Sequence, residues 1–177
     1  DPVALPMGFI PYGRLRAAGS EGDGTVLPSS TAADRAVILY TSGSTSRPKA
    51  VPLRHAGMIE NGFAIGERQG LGDADRVFVP VPLFWAYGVA NALMASFTHG
   101  AAVILQERFE AGAALTILEE QQCTALYTLP AMTAALVGHP SFAPARTRSL
   151  RTGLTIGSPQ DVRRAAEELG AANICNI

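Results

Sequence analysis

The chain has 177 residues, enough for one domain with a sizeable core but too few for two comfortable ones. Apolar residues make up 47% of it and charged residues only 16%, and this balance excludes intrinsic disorder. The net charge of −1 excludes an extended basic surface for nucleic acid. The two cysteines, Cys123 and Cys175, have no metal-binding or CxxC spacing, so we expect a reducing compartment and no disulfide framework.

The sequence predicts no signal peptide and a cytoplasmic location, because its first ten residues, DPVALPMGFI, contain neither a basic region nor a cleavage site. Residues 77–105 carry no Asp, Glu, Lys or Arg over a length that could span a bilayer. Prolines and glycines interrupt this stretch, and both of its ends have the apolar character of buried strands. We therefore interpret it as two strands around a short helix.

Residues 1–33 are rich in Gly, Pro and Ser and predict an extended N-terminal segment before a domain over residues 34–177. In that domain, short apolar runs alternate with helix-like stretches. The predicted strands are Ala36–Tyr40, Val77–Val81, Ala101–Leu105, Thr124–Thr128, Leu150–Ile156 and Ala172–Ile177. The predicted helices are His55–Gln69, Tyr87–Phe97, Ala111–Gln122, Pro130–Gly138 and Pro159–Leu169. This alternation predicts an α/β fold with a parallel sheet covered by helices on both faces.

Two of the predicted helices carry local signals. Ser158 followed by Pro159 and Asp161 predicts a capped helix start, with proline in the first helical position. The helix His55–Gln69 contains glycines at four-residue intervals, including Gly62 and Gly66, which predicts close packing of that face onto the sheet.

The segment with the clearest chemical signal is YTSGSTSRPKA, residues 40–50. Five small or hydroxylated residues, Thr41–Thr45, follow a strand, and Lys49 is the only lysine in the chain. Hydroxyl and backbone N–H groups can surround phosphate oxygens, and the lysine supplies a mobile positive charge. The spacing does not fit a Walker A loop, because Pro48 precedes the lysine and Val51-Pro52-Leu53 continues extended. An ordinary Ser/Thr-rich surface loop is the alternative.

This segment resembles the phosphate loop of the adenylate-forming superfamily, which includes acyl-CoA synthetases, peptide-synthetase adenylation domains and luciferases. The usual pattern is Thr-Ser-Gly-Ser/Thr-Thr-Gly-x-Pro-Lys-Gly, and here Ser46 and Ala50 replace two of its glycines. Serine adopts a positive φ only at a cost in energy. We therefore expect Ser46 to affect the reaction rate rather than the identification of this loop.

Three further segments resemble the same family in the same order. Pro82–Gly88, PLFWAYG, is similar to its Pro-x-Phe-His-x-x-Gly segment, with Trp85 in place of histidine. Ala125–Pro130 resembles its strand leading into a proline-started helix, and Leu150–Pro159 resembles the segment that ends in Gly-Gly-Ala-Pro. The aromatic residues of the first segment could instead be core, and Gly157-Ser158-Pro159 could serve only as a helix cap.

The resemblance implies a flavodoxin-like subdomain of the adenylate-forming fold. It implies an acid–thiol ligase that uses ATP, Mg²⁺ and coenzyme A, or a phosphopantetheine thiol, to convert a carboxylic acid into an acyl-adenylate and then a thioester. The implied phosphate-binding residues are Thr41, Ser42, Gly43, Ser44, Thr45 and Lys49. The implied adenosine-side residues are Gly157, Ser158 and Pro159, and the implied acyl-pocket residues are Trp85, Ala86, Tyr87 and Gly88.

No catalytic residue or metal ligand is assigned, because the family's Tyr-Gly-x-Thr-Glu motif would follow Ile177 and its C-terminal lid lysine has no counterpart here. We therefore expect the central part of a larger enzyme, inactive alone. Amino-acid adenylation domains place an Asp where Trp85 lies, and a buried ammonium without a counter-charge is costly, so we expect a fatty or aromatic acid.

Three alternatives remain at this point. The first is a stand-alone adenylating enzyme that loads an acyl carrier protein. The second is a truncated, non-catalytic homologue that binds a nucleotide or a partner, and the third is an unrelated flavodoxin-like binding module.

Overall fold

The computed structural model describes residue 14, residues 30–41 and residues 48–177. Ala32–Ile177 forms one compact unit, separate from Asp1–Thr31, and all the elements below belong to the larger unit. Within the described ranges, no helix is both long enough and apolar enough to cross a membrane.

Strands and helices alternate along the larger unit. The strands are β1 (Arg35–Thr41), β2 (Lys49–Arg54), β3 (Arg76–Val79), β4 (Ala102–Leu105), β5 (Ala125–Tyr127), β6 (Thr152–Thr155) and β7 (Asn173–Asn176). The α-helices are α1 (His55–Gln69), α2 (Met94–Thr98), α3 (Ala111–Glu120), α4 (Pro130–Val137) and α5 (Pro159–Leu169). A π-helix over Tyr87–Leu93 runs directly into α2, and a 3₁₀-helix covers Pro144–Thr147.

The last five strands form one parallel sheet in the order β4-β3-β5-β6-β7. Successive side chains of β3 point to opposite faces. Val77 and Val79 join a core with residues of α1, the π-helix and α2, whereas Phe78 joins a second core with residues of α3, α4 and α5. The predicted α/β fold, with a parallel sheet covered on both faces, is therefore confirmed.

The first predicted strand does not belong to this sheet. β1 pairs with β2 as an antiparallel hairpin, and Thr41 lies opposite Lys49 at its tip. Ile38 is 47% exposed and Tyr40 72% exposed. The apolar run Ala36–Tyr40 was expected to be a parallel, buried strand, and this was wrong because the extended segment after Lys49 offers it an adjacent antiparallel partner.

The glycine-rich face of α1 packs on α2 rather than on the sheet, which corrects the expected contact. A Cβ built on Gly62 would lie 2.4 Å from the Cβ of Met94, and one on Gly66 would lie 2.3 Å from the ring of His99. Gly70 ends α1 with a φ of 61°, in the left-handed conformation that glycine adopts readily. Close approach of the two helix backbones therefore explains Gly62, and the His99 ring packed against α1 explains Gly66.

Of two other predicted helices, one has the predicted bounds in the structure and one does not. The helix predicted at Pro159–Leu169 has those bounds in the structure, and Ser158 and Asp161 form the expected capping box. The helix predicted at Tyr87–Phe97 consists of two parts, the π-helix and α2.

A buried carboxylate connects the N-terminal ends of three neighbouring strands. Asp75 is 5% exposed and accepts hydrogen bonds from Thr124 Oγ1 at 2.6 Å, from the Gly72 N–H at 2.8 Å and from the Arg151 guanidinium. Burial alone would raise the pKa of Asp75, but these hydrogen bonds and the arginine charge outweigh it and hold the pKa below its usual value. Arg151 also donates to the Gln69 and Gly70 carbonyls at the end of α1.

The contact between α1 and α2 predicts opposite effects for two substitutions in one helix. We expect Gly62→Ala to lower the free energy of unfolding by about 2 kcal/mol, because the added methyl group forces α2 away. Gly57→Ala is the matched control, since a Cβ there meets nothing within 4 Å, and it should stabilise the fold by up to about 1 kcal/mol. Urea denaturation measures both, and effects of the same sign would contradict the proposed contact.

Asp75→Asn should lower the free energy of unfolding at pH 7 by about 2 kcal/mol, because the amide offers one acceptor oxygen instead of two to the four hydrogen bonds that Gly72, Thr124 and Arg151 donate. A lowered pKa contributes stability above the unfolded value, near 4, and loses it as the pH falls through the folded value. The difference between wild type and variant should therefore shrink in acid. Glu168→Gln, in the exposed Arg164–Glu168 pair, is the control and should change stability by less than about 0.5 kcal/mol. An equal loss in both variants would rule out a special role for Asp75.

Candidate functional site

Two of the segments predicted to form the site follow strands of the parallel sheet. The segment with Trp85 comes after β3, and the segment with Gly157 comes after β6. The carboxyl ends of parallel strands meet at one edge of the sheet, which is where ligands bind in open α/β folds. The sheet therefore brings these two segments to the edge at which a ligand is expected.

The predicted phosphate loop connects the strands of the β1–β2 hairpin. Thr41 and Lys49 are cross-strand partners and both are exposed, so the loop starts and ends at neighbouring positions. Lys49 begins β2, which presents its cation at the base of the loop. The residues Ser42, Gly43, Ser44 and Thr45, together with Ser46, lie outside the described residues.

A cavity of about 510 Å³ opens beside Trp85. Its lining consists mainly of apolar side chains, from residues 79–85, residues 105–109 and Met132. Trp85 is 46% exposed, and Phe84 meets its ring edge-on at a centroid distance of 5.9 Å. The volume lies within the range of small-molecule sites, so the cavity can hold an apolar group with Trp85 at its wall.

The three residues after Trp85 lie in different surroundings. Ala86 is exposed, whereas Tyr87 and Gly88 are buried. The Tyr87 hydroxyl lies 2.9 Å from the Thr128 carbonyl oxygen and 2.6 Å from the Leu154 carbonyl oxygen. Burial raises the pKa of Tyr87, so its hydroxyl stays protonated and remains a donor. None of these three residues lines the cavity at Trp85.

The loop after β6 is held by side chains on both sides. The Gly157 N–H donates to Asn176 Oδ1 and the Gly157 carbonyl accepts from Asn176 Nδ2, both at 3.2 Å. Ser158 donates to Asp161 through its N–H and its hydroxyl, and these hydrogen bonds, the hydroxyl's first, hold the pKa of Asp161 below its usual value. Pro159 begins α5. Ser158 therefore has a complete structural role as a helix cap, while Gly157 remains half-buried beside it.

Sequence patterns indicated Trp85 and Gly157 but not their supporting residues. Asn176 belongs to no motif that would have marked it as a partner of Gly157. The partners of Tyr87 are backbone carbonyl groups, which every residue has, so the sequence could not indicate them. In the part of the chain that the structure describes, no three His, Cys, Asp or Glu residues come together to hold a metal ion.

Comparisons with known proteins place this geometry in a family. The model of the AMP-binding enzyme family matches residues 11–176. The acyl-CoA ligase sidI of Aspergillus fumigatus is 35% identical over 159 residues, covering 82% of this chain and 27% of that protein. A feruloyl-CoA synthase of an Amycolatopsis species is 34% identical over 150 residues, covering 85% of this chain and 30% of that protein.

A solved structure has a similar fold. The crystal structure of ATP-bound MatB from Rhodopseudomonas palustris superposes with a TM-score of 0.77 at 21% identity, covering 92% of this chain and 33% of that one. The chain thus spans between a quarter and a third of the length of the proteins that it matches. Because the family model matches almost the whole sequence, and does so across all the motif segments, the chain belongs to the AMP-binding enzyme family.

Proposed function

We propose that this chain provides the nucleotide-binding α/β part, residues 34–177, of an ATP-dependent enzyme that activates carboxylic acids as acyl-CoA ligases do. The observation that carries the proposal is the family match over residues 11–176, which includes the phosphate loop, the Trp85 segment and the Gly157 segment in their expected order. Most of the expected N-terminal segment, residues 1–33, lies outside the described residues.

In the proposed reaction, the carboxylate attacks the α-phosphate of ATP, pyrophosphate leaves, and a thiol then displaces AMP from the acyl-adenylate. Thr41–Thr45 and Lys49 hold the β- and γ-phosphates, and Gly157, Ser158 and Pro159 border the adenosine. Charge develops on the transferred phosphoryl group, so positioning and electrostatics supply most of the rate. The exposed Lys49 ammonium fits this task. Magnesium would enter with ATP and would neutralise part of the phosphate charge.

The cavity beside Trp85 supports an apolar acid as the substrate. Its lining is mainly aliphatic and aromatic, and the two charged residues in it, Glu107 and Arg108, carry opposite charges and follow one another in the sequence. The similarity to a feruloyl-CoA synthase agrees with an aromatic acid in this place. We therefore assign a fatty or aryl carboxylic acid to this cavity, with Trp85 at its wall.

Coenzyme A is the proposed thiol acceptor, in the cytoplasm, and an acyl carrier protein is the alternative acceptor. Exchange of labelled pyrophosphate into ATP, measured with a panel of carboxylic acids on the natural full-length protein, tests the first half-reaction. Exchange that depends on a fatty or aryl acid supports the proposal, and exchange with no acid of the panel contradicts it. Thioester formation with coenzyme A alone then decides between the two acceptors.

Lys49→Ala should lower the turnover of ATP–pyrophosphate exchange by about a hundredfold, because a charge that stabilises the leaving phosphates is lost. Thiol transfer from a supplied acyl-adenylate should stay largely intact. Arg35→Ala removes an exposed cation from the other end of the same hairpin and should leave both half-reactions unchanged. Equal losses in the two half-reactions of Lys49→Ala would remove this residue from the proposed role.

Trp85→Ala should change the preference among acids by enlarging the cavity. We expect the ratio of kcat/KM for a bulky acid over a short one to rise about tenfold, the effect of one or two methylene groups in an apolar pocket. Phe97→Ala is the control, since Phe97 is exposed but lies outside the cavity lining. An unchanged order of preference in Trp85→Ala would show that Trp85 does not contact the acid.

A further inference from the structure

Tyr87 connects the segment that carries Trp85 with the carboxyl ends of two strands. It follows Trp85 by two residues, begins the π-helix and is only 6% exposed. Its hydroxyl reaches the carbonyl oxygens of Thr128, just after β5, and Leu154, within β6. Gly157 follows Leu154 by three residues. One side chain thus lies between the two segments assigned to the acid and to the nucleotide.

The hydrogen bonds of Tyr87 extend the pairing of β5 with β6. The Thr128 N–H already donates to the Leu154 carbonyl at 2.9 Å, one residue past the last paired residue of β5. A carbonyl only accepts, so the single phenolic proton is shared between the Thr128 and Leu154 oxygens. Without this hydroxyl, the Thr128 carbonyl loses a buried donor.

The start of the π-helix is constrained from two further directions. The Tyr87 ring packs on Tyr127 at a centroid distance of 5.6 Å. A Cβ on Gly88 would lie 2.3 Å from the Pro82 carbonyl oxygen, so the backbone on either side of Trp85 is already in close contact. Movement at Tyr87 is therefore transmitted to Trp85 rather than absorbed locally. Single π-helical turns are rare and occur frequently at functional sites.

We propose that Tyr87 is a positioning residue that fixes the distance between the Trp85 segment and the Gly157 loop, so that bound acid and bound nucleotide meet in the reactive geometry. The inference rests on the proposed function and assigns Tyr87 a role other than lining the acyl pocket. Loss of the hydroxyl relaxes the alignment of two bound reactants without removing a group that touches either. Turnover then falls while the KM values stay near those of the wild type.

The test is Tyr87→Phe in the natural full-length protein, with ATP–pyrophosphate exchange as the assay. We expect kcat to fall about tenfold and both KM values, for ATP and for the acid, to stay within about twofold. Tyr127→Phe is the matched control, because it removes the neighbouring buried phenol hydroxyl, which is bonded to Gln69 rather than to the strand ends. It should lower the melting temperature to a similar extent and leave kcat within about twofold.

A second variant separates the hydrogen bond from packing. p-Aminophenylalanine at position 87 keeps a donor on the ring and should restore most of the wild-type kcat, even where Tyr87→Phe yields too little folded protein to assay. An unchanged kcat in Tyr87→Phe, an equal fall in Tyr127→Phe, or no recovery with the amino analogue would overturn the inference. Absence of exchange in the wild type would instead contradict the proposed function itself.

Discussion

The position of Asp75 determines how the sheet begins. Asp75, Thr124 and Arg151 each stand immediately before a strand, and those strands, β3, β5 and β6, are neighbours in the sheet. One carboxylate therefore aligns the starts of three strands and, through Arg151, the end of α1. Parallel strands have no hairpin to set their register, so a polar anchor at one edge performs that task. With the amino-terminal edge fixed, the loops at the carboxyl edge can be specialised for ligands.

Most of the sheet could be predicted from the sequence because its strands are apolar and short. The periodicity located the helices α1 and α5 with their observed bounds, and the capping box at Ser158 was visible as a local pattern. β2 was missed as a strand, because Lys49–Arg54 is polar at both ends and contains Pro52. Proline is tolerated in a hairpin whose edge is open, but it removes the signal of a strand. Because β2 was not predicted, the antiparallel pairing of β1 with β2 was not predicted either.

Sequence motifs predicted which segments form the candidate site, but not the directions of their side chains. The patterns assigned Trp85, Ala86, Tyr87 and Gly88 to the acyl pocket, and of these only Trp85 lines the cavity described above. Tyr87 begins a π-helix, where a regular helix was expected, and its hydroxyl reaches the strand ends. Side-chain direction depends on the turn geometry, and a seven-residue apolar segment does not distinguish a π-helix from an α-helix. The hydroxyl partners are backbone atoms, which no pattern of residue types records.

The Asn176 side chain makes hydrogen bonds to Gly157 of the kind found between neighbouring strands of a sheet. Its side-chain amide accepts from the Gly157 N–H and donates to the Gly157 carbonyl, as a strand backbone would do for a residue in register. The side chain thus replaces a pair of backbone hydrogen bonds just past the end of the β6–β7 pairing. A side-chain amide offers a donor and an acceptor side by side, as a peptide group does, whereas aspartate would repel the carbonyl and leucine would satisfy neither group. The loop on the nucleotide side is therefore held by a residue at the end of a different strand, so a substitution of Asn176 would leave both backbone groups of Gly157 without these partners.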